Sequence, residues 1–411
     1  MNREMKHSGI AWIGEIPKQW TVELLGNNVK LVDNPNSDCS EDNALQFKMG
    51  TIISKKHGDS KYNPLTLEAY NKVQEGDIVL NGLNLSFDFI SQRVGLVKEK
   101  GVITSAYLTI RPTKTLDSIY LTYLLKAYDC CKAFHGMGRG LRQTLSYKEL
   151  RYEKLIYPSL AEQKAIADFL DKKCGEIDEL VALQEKIIEE LKSYKQSVIT
   201  ETVCKGLNPN APMKDSEVEC IGMVPEKWNV VLLPFVFRNL DYLREPISAE
   251  QRSRINPMYD YYGASGVIDK IDYYNVDDDV LLIGEDGANL KMRNLPLIYR
   301  ATGKFWVNNH AHILKPIKDN IVYMQYMLEA LDYNTLITGS AQPKLSQDNL
   351  SKVRVCVPPL GEQQEIADYL DKKCSEIDQL ISIKQQKIVE LKEYKKSLIY
   401  EYTTGKKRVE A

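Results

Sequence analysis

A few short stretches of this 411-residue chain have residue types and spacings that could do chemistry. Glu285-Asp286 is a carboxylate pair able to act as a general acid or to hold a metal, and His310-x-His312, on a strand, would present two imidazoles to one face. Neither has an identifiable third ligand, so a turn or a hydrogen-bonding role is the better reading of both. Gly136-Met137-Gly138-Arg139-Gly140 is not a G-x-G-x-x-G loop and follows a helix-like run rather than a strand. The only Pro-Pro pair has Val357 and Leu360 where the catalytic loop of an adenine methyltransferase has polar and aromatic members. "TTGKKR" (403–408) lacks the first glycine of a phosphate-binding G-x-x-x-x-G-K-[ST] loop. The expectation is a chain with no catalytic residue, no metal and no cofactor.

Other residues are suited to recognition. Arg or Lys pairs with guanine, Asn or Gln with adenine and carboxylates with cytosine, whereas phosphate contacts position a protein on DNA. Residues 132–154 hold Lys132, Arg139, Arg142, Lys148, Arg151 and Lys154 against Glu149 and Glu153. Gln143-Thr144 stand beside Arg142, and Gly136, Gly138 and Gly140 would let the backbone approach a ligand closely. An ordinary solvated basic helix is the plain alternative. A second polar stretch, 81–93, offers Asn81, Asn84, Ser86, Gln92 and Arg93. Later in the chain, 339–344 offers Ser340, Gln342 and Lys344, and 284–294 offers Asn289, Lys291 and Arg293. Tyr261, Tyr262, Asn308 and Asn309 are plausible neighbours of these, with core packing an equal alternative for the tyrosines.

The elements that must position these residues occur twice. "EQKAIADFLDKKC" (162–174) and "EQQEIADYLDKKC" (362–374) share ten identities in thirteen at an offset of 200. The match extends forward to Tyr194-Lys195 over Tyr394-Lys395 and back to Leu145-Ser146 over Leu345-Ser346, while "WIGEIPKQW" (12–20) resembles "CIGMVPEKW" (220–228). A period this long is far outside the roughly 20–50 residues of solenoid repeats, so the chain is a tandem duplication of one whole module. Each copy opens with short strand-like runs broken by Gly, Asn and Pro turns (1–157 and 207–357, the second head proper from 218). Each then closes with a stretch nearly free of Gly and Pro (158–206 and 358–411), which reads as helix.

Ser159-x-x-Glu162 and Ser146-x-x-Glu149 are capping boxes. Beyond Gly175, Ile177, Leu180, Ile187, Leu191, Tyr194 and Val198 form a coiled-coil stripe interrupted at Gln184. In the second copy Ile377, Leu380, Leu391, Tyr394 and Leu398 repeat it, while Lys384 and Lys387 break it and should shift packing towards Ile381, Ile383 and Ile388. The fold expected is α+β: two tandem α/β heads with two long helices packed as an antiparallel coiled coil, pseudo-twofold. A coiled segment of about 28 residues at about 1.5 Å each is about 40 Å long, close to one DNA turn of about 34–36 Å.

Net charge is only −2, but residues 162–205 and 362–405 carry −5 between them, leaving +3 on the rest. The eight cysteines include no C-x-x-C pair and read as reduced thiols. No signal peptide and no 18-residue apolar run is visible, which points to a cytoplasmic protein without a membrane partner.

These motifs together resemble the specificity (S) subunits of Type I restriction–modification systems. The resemblance rests on "YYGASGVID" (261–269), "DDVLLIGEDGANL" (278–290), "GKFWVNNHAHILKP" (303–316), "GSAQPKLSQDNL" (339–350) and "PPLGEQQEIADYLDKK" (358–373). "GDIVLNGLNL" (76–85), "SAYLTIRP" (105–112) and the "IGEIPKQW" opening add to it. It implies that each head is a target recognition domain reading half of a bipartite DNA site, and that the helices space the heads and dock other subunits. The partners implied are double-stranded DNA, methyltransferase subunits, two in number, and endonuclease/translocase subunits. Lys344 stands where the first copy has Thr144, and Gln342 where it has Arg142, so an asymmetric site is expected. The rival reading is a coiled-coil scaffold whose heads bind a ligand other than DNA.

Overall fold

A computed structural model describes residues 3–55, 64–85, 92–138, 143–218, 221–248, 250, 258–339 and 342–409. The chain divides into two compact units, Met1–Glu185 with Gln386–Ala411, and Lys186–Gln385. Each unit holds one head, the start of the helix that follows that head and the end of the helix that follows the other.

In the first unit four short strands form an antiparallel sheet in the order Val29–Leu31, Leu108–Pro112, Ile78–Leu80, Val94–Leu96. Helix α1 (Ser118–Cys130) covers it. Asp117 starts α1, its carboxylate accepting the Ile119 and Tyr120 N–H groups at 2.9 Å each. Tyr120, Leu121, Leu124, Leu125 and Tyr128 then recur at three- and four-residue steps and enter the core. In the second unit a larger, mostly antiparallel sheet runs Phe237–Asn239, Ala311–Pro316, Val276–Gly284, Ile298–Val307, Tyr259–Gly263, Gly266–Ile271. Asn320 caps its helix, Ile321–Ala330, through the Val322 and Tyr323 N–H groups at 2.9 Å.

The two long helices are α2 (Leu160–Lys205) and, after the Ile321–Ala330 helix (α3), α4 (Leu360–Thr403). The repeated Glu-Gln at their starts is explained by the head beneath. In the first unit Trp20, fully buried, donates its indole N–H to Glu162 at 3.1 Å, and in the second Trp228 donates to Glu362 at 3.0 Å. Gln163 accepts from the Asp117 N–H at 2.8 Å and Gln363 from the Asn320 N–H at 2.8 Å, so the side chain that opens each long helix also fixes the start of the shorter one. Both strand pairs closing the heads, Thr21–Leu24 with Lys154–Tyr157 and Asn229–Leu232 with Arg354–Val357, keep the same register.

Within the first unit α4 runs antiparallel to α2. Lys395 pairs with Asp178 at 2.6 Å and Lys392 with Glu185 at 3.8 Å. Lys195–Asp378 at 2.7 Å repeats the pairing in the second unit with the helices exchanged. The expected seam is displaced by one residue at some steps: Leu180 and Tyr194 are 46% and 55% exposed, and Leu380, Tyr394 and Ile383 are exposed too. Ile177 is buried and Leu191 and Val198 are half-buried as expected, whereas Val181 and Ile188 are buried in preference to Leu180 and Ile187, and Cys174 extends the seam. A strict three-four repeat from Cys174 passes through Gln184 and Lys195, and from Cys374 through Lys384 and Lys395, all half-buried. The bulkier apolar residue at each ambiguous step was therefore the wrong choice. The lysines keep their stems in the seam while Lys195 and Lys395 carry their ammonium groups out to aspartates. Ile381 and Ile388 do lie half-buried, as the shifted packing of the second copy requires.

Candidate functional site

In the first unit the two polar stretches lie together. The Leu145 N–H donates to the Gly82 carbonyl at 2.9 Å and the Leu85 N–H to the Gln143 carbonyl at 3.3 Å, so 82–85 and 143–145 form a small backbone ladder. Gly82 is required there, because a Cβ would stand 2.8 Å from the Leu145 carbonyl oxygen. Asn84 and Gln143 adopt φ of 55° and 42°, the left-handed region that Asn tolerates at turns. Asn84, Gln143, Thr144 and Lys148 are exposed on this loop pair. Arg139, Arg142 and Ser86 lie outside the described residues.

Arg93 departs from the expectation. It is 1% exposed, and its guanidinium donates to the carbonyls of Asn81 at 2.9 Å and Leu83 at 2.8 Å. Its own N–H donates to Asp129 at 2.8 Å. Arg93 therefore organises the loop from below rather than meeting a base. Burial raises the Asp129 carboxyl above its usual range, and the Arg93 N–H only partly offsets that.

The second unit repeats the juxtaposition. The Leu345 N–H donates to the Glu285 carbonyl at 2.7 Å and the Gly287 N–H to the Pro343 carbonyl at 3.1 Å, bringing 285–287 against 343–345. Lys344 also exchanges backbone hydrogen bonds with Thr338 at 2.8 and 2.9 Å, closing the loop that carries Gln342. Gln342, Lys344 and Lys291 are exposed, and Ser340 lies outside the described residues.

Two more expected contact residues are already engaged. Asn289 closes its own loop, donating to the Leu295 carbonyl at 3.1 Å and accepting the Leu295 N–H at 2.9 Å. Arg293, at φ 51°, donates to the Glu329 carbonyl and lies 5.8 Å from the Tyr333 ring centroid. Of the suggested neighbours, Tyr261 is a core residue, Tyr262 packs edge-on against Phe305 at 5.5 Å, and Asn308 is buried with its side chain accepting the His310 N–H at 2.8 Å; Asn309 is exposed.

Beneath this loop pair lies a charge network. His312 is fully buried, with Nδ1 2.6 Å from Asp241, Nε2 2.8 Å from the Leu345 carbonyl and Glu285 at 3.9 Å. Glu285 pairs with Arg244 and with Lys344, the latter at 2.9 Å; Asp286 pairs with His310 at 2.7 Å. The carboxylates and imidazoles of the sequence are thus hydrogen-bonded to one another and to the loop. Asp241 carried no signal, because nothing in its neighbourhood of the chain marks it as a partner for a residue 71 positions on.

Burial alone would raise Asp241 and Glu285. The Asp241 carboxyl is nonetheless held below its ordinary range by His312, the Ile313 N–H and Arg244, and that of Glu285 by Lys344, Arg244 and His312. Groups depressed in the folded state add stability above their unfolded values, and that stability is lost as pH falls through the lowered ones. The second unit is therefore expected to lose stability as pH drops below about 4. Asp241→Asn should lower the melting temperature at pH 7 but reduce the further loss between pH 5 and pH 3, measured by thermal denaturation.

Residues 225–393 match the family model of the Type I restriction modification DNA specificity domain. The Type I restriction enzyme MjaVIII specificity subunit of Methanocaldococcus jannaschii is 24% identical, covering 96% of this chain and 94% of its own length. The putative Type I restriction enzyme MjaX specificity subunit of the same organism is 25% identical, covering 97% and 96%. Over nearly its whole length the chain is similar to Type I specificity subunits. A chain solved in work on complex assembly and conformational transition of the type I R-M system has the same fold, with a TM-score of 0.72 at 13% identity, covering 95% of this chain and 99% of that one. In this chain both heads use a similar backbone arrangement, a pair of loops laddered together, to display different polar side chains. Asn84, Gln143, Thr144 and Lys148 stand on one pair, Gln342 and Lys344 on the other, and Lys291 at the end of the helical turn beside the latter.

Proposed function

We propose that this chain supplies DNA sequence recognition to a Type I restriction–modification complex, reading one half of a bipartite, asymmetric site with each unit. The observation that carries this reading is the repeated loop pair with unlike exposed side chains. Similar loop ladders give comparable docking on the duplex, and unlike side chains give unlike bases. The chain performs no reaction and uses no cofactor of its own; two methyltransferase subunits and the endonuclease/translocase subunits supply the chemistry, in the cytoplasm.

For those partners the exposed apolar residues of the long helices are suited. The first unit presents Leu180, Leu183, Val389 and Tyr394, and the second Tyr194, Leu380 and Ile383. These are the residues the seam leaves outside, at repeated positions 180/380, 183/383 and 194/394. Leu180→Asp with Leu183→Asp should weaken methyltransferase capture by about thirtyfold or more, the scale of an interface hot spot, and leave the melting temperature unchanged. Unaltered capture would remove this surface from the reading. DNA binding by the complex should fall steeply and log-linearly with salt, as phosphate contacts require. Salt-independent binding would favour the scaffold with non-DNA ligands.

A further inference from the structure

We infer that each head fixes its loop pair with a buried side chain that donates to loop carbonyls, Arg93 in the first unit and His312 in the second, and that these two are positioning residues for half-site specificity. This rests on the recognition reading above and assigns the residues that make the reading stringent.

In the second unit both ring nitrogens of His312 face oxygens: the Asp241 carboxylate at 2.6 Å and the Leu345 carbonyl at 2.8 Å. The Leu345 carbonyl can only accept, so Nε2 donates to it, and the ring makes this bond where no solvent reaches. Asp241 and, at 3.9 Å, Glu285 face the ring, with Arg244 between those two carboxylates and Lys344 on the outer side of Glu285. The Leu345 carbonyl is thereby tied to a ring that Asp241 holds from its other side. Leu345 is also the residue whose N–H meets the Glu285 carbonyl at 2.7 Å, one position from Lys344 and three from Gln342. The rigid sheet therefore reaches the exposed side chains through one buried ring on the strand Ala311–Pro316.

The first unit solves the same problem with a different residue. Arg93 grips the Asn81 and Leu83 carbonyls on either side of Gly82, the residue whose own carbonyl receives the Leu145 N–H. The Asn81 N–H returns a bond to the Arg93 carbonyl at 2.8 Å, and Asp129 accepts the Arg93 N–H. Bidentate base readout tolerates displacements of only about 0.5 Å, so loosening either anchor costs discrimination before it costs phosphate-driven affinity.

The test uses the full chain with its cognate methyltransferase subunits and DNA sites carrying single mismatches in one half or the other. His312→Gln is expected to reduce the preference for correct over mismatched sequence about tenfold in the half read by 218–357, with the other half unchanged. Arg93→Gln should give the mirror result, and Arg93→Lys an intermediate one. Affinity for non-specific DNA and its salt dependence should not move, which separates positioning from a general loss of structure. Should His312→Gln fail to fold, Asp241→Asn, which removes the carboxylate that orients the ring towards Leu345, is expected to give a smaller loss on the same side. Equal loss in both halves, or none, overturns the inference. A wild-type complex without sequence preference would instead overturn the recognition reading itself.

Discussion

Exchanging residues 218–357 for the corresponding head of a Type I specificity subunit will replace one half of the methylated sequence and leave the other half as it was. The core of the second unit is its own: Trp228, Tyr323, Met324, Leu345 and Val355 pack with Ile199, Val203, Ile366 and Leu370 of the long helices. The donor head must therefore keep a tryptophan to meet Glu362 and a tyrosine in the place of Tyr323, whose hydroxyl donates to the Cys356 carbonyl at 2.9 Å. Each wrong base pair costs about 1–3 kcal/mol, so a half-site differing at three positions should be discriminated by a factor of about a hundred or more. Mapping methylated adenines made by the exchanged chain with its partners checks this. A change in both halves would show that the units do not read independently.

Ending the chain after Ser397 will unfold the first unit at a markedly lower temperature and spare the second. The last turns of α4 belong to the first unit's core, where Leu398 and Ile399 are buried. Tyr400 donates to the Trp12 carbonyl at 3.0 Å and Tyr120 to the Thr403 carbonyl at 3.3 Å. Gly405, at φ 74°, lies so close to Pro17 and Trp20 that any Cβ would strike them. Losing two buried aliphatic side chains alone costs about 2–5 kcal/mol each, enough to shift a melting transition by roughly 10 °C or more. Hydrogen exchange resolved by peptide should rise in 10–31 and 108–130 while 221–239 and 321–330 stay protected. Val203→Ala is the complementary control, since that fully buried residue serves the second unit.

What the sequence made legible is what the structure uses twice. The Glu-Gln at each long-helix start, the Leu-Ser before each short helical turn and the tryptophan near each opening do the same work in both copies, and the spacing preserved them. Letters give donor capacity, however, and not whether a donor is already occupied. Arg93, Asn289 and Arg293 look as fit for DNA as Gln143 or Lys344, yet their hydrogen bonds are spent inside the protein. The heptad seam holds at Ile177, Leu191 and Val198 but slips at other steps for a related reason: apolarity favours Leu180 and Tyr194, but antiparallel register places Val181 and Lys195 inward. The pairing of Thr21–Leu24 with Lys154–Tyr157, and of Trp12 with Tyr400, spans too much chain for any local pattern to announce.

The most direct measurement is a genome-wide map of N6-methyladenine in a host carrying this gene with its cognate methyltransferase, compared with the same host lacking it. Two unlike readers in one polypeptide require a single gapped motif whose halves differ, present only with the gene. A palindromic or ungapped motif, or a map that does not change, would contradict the account.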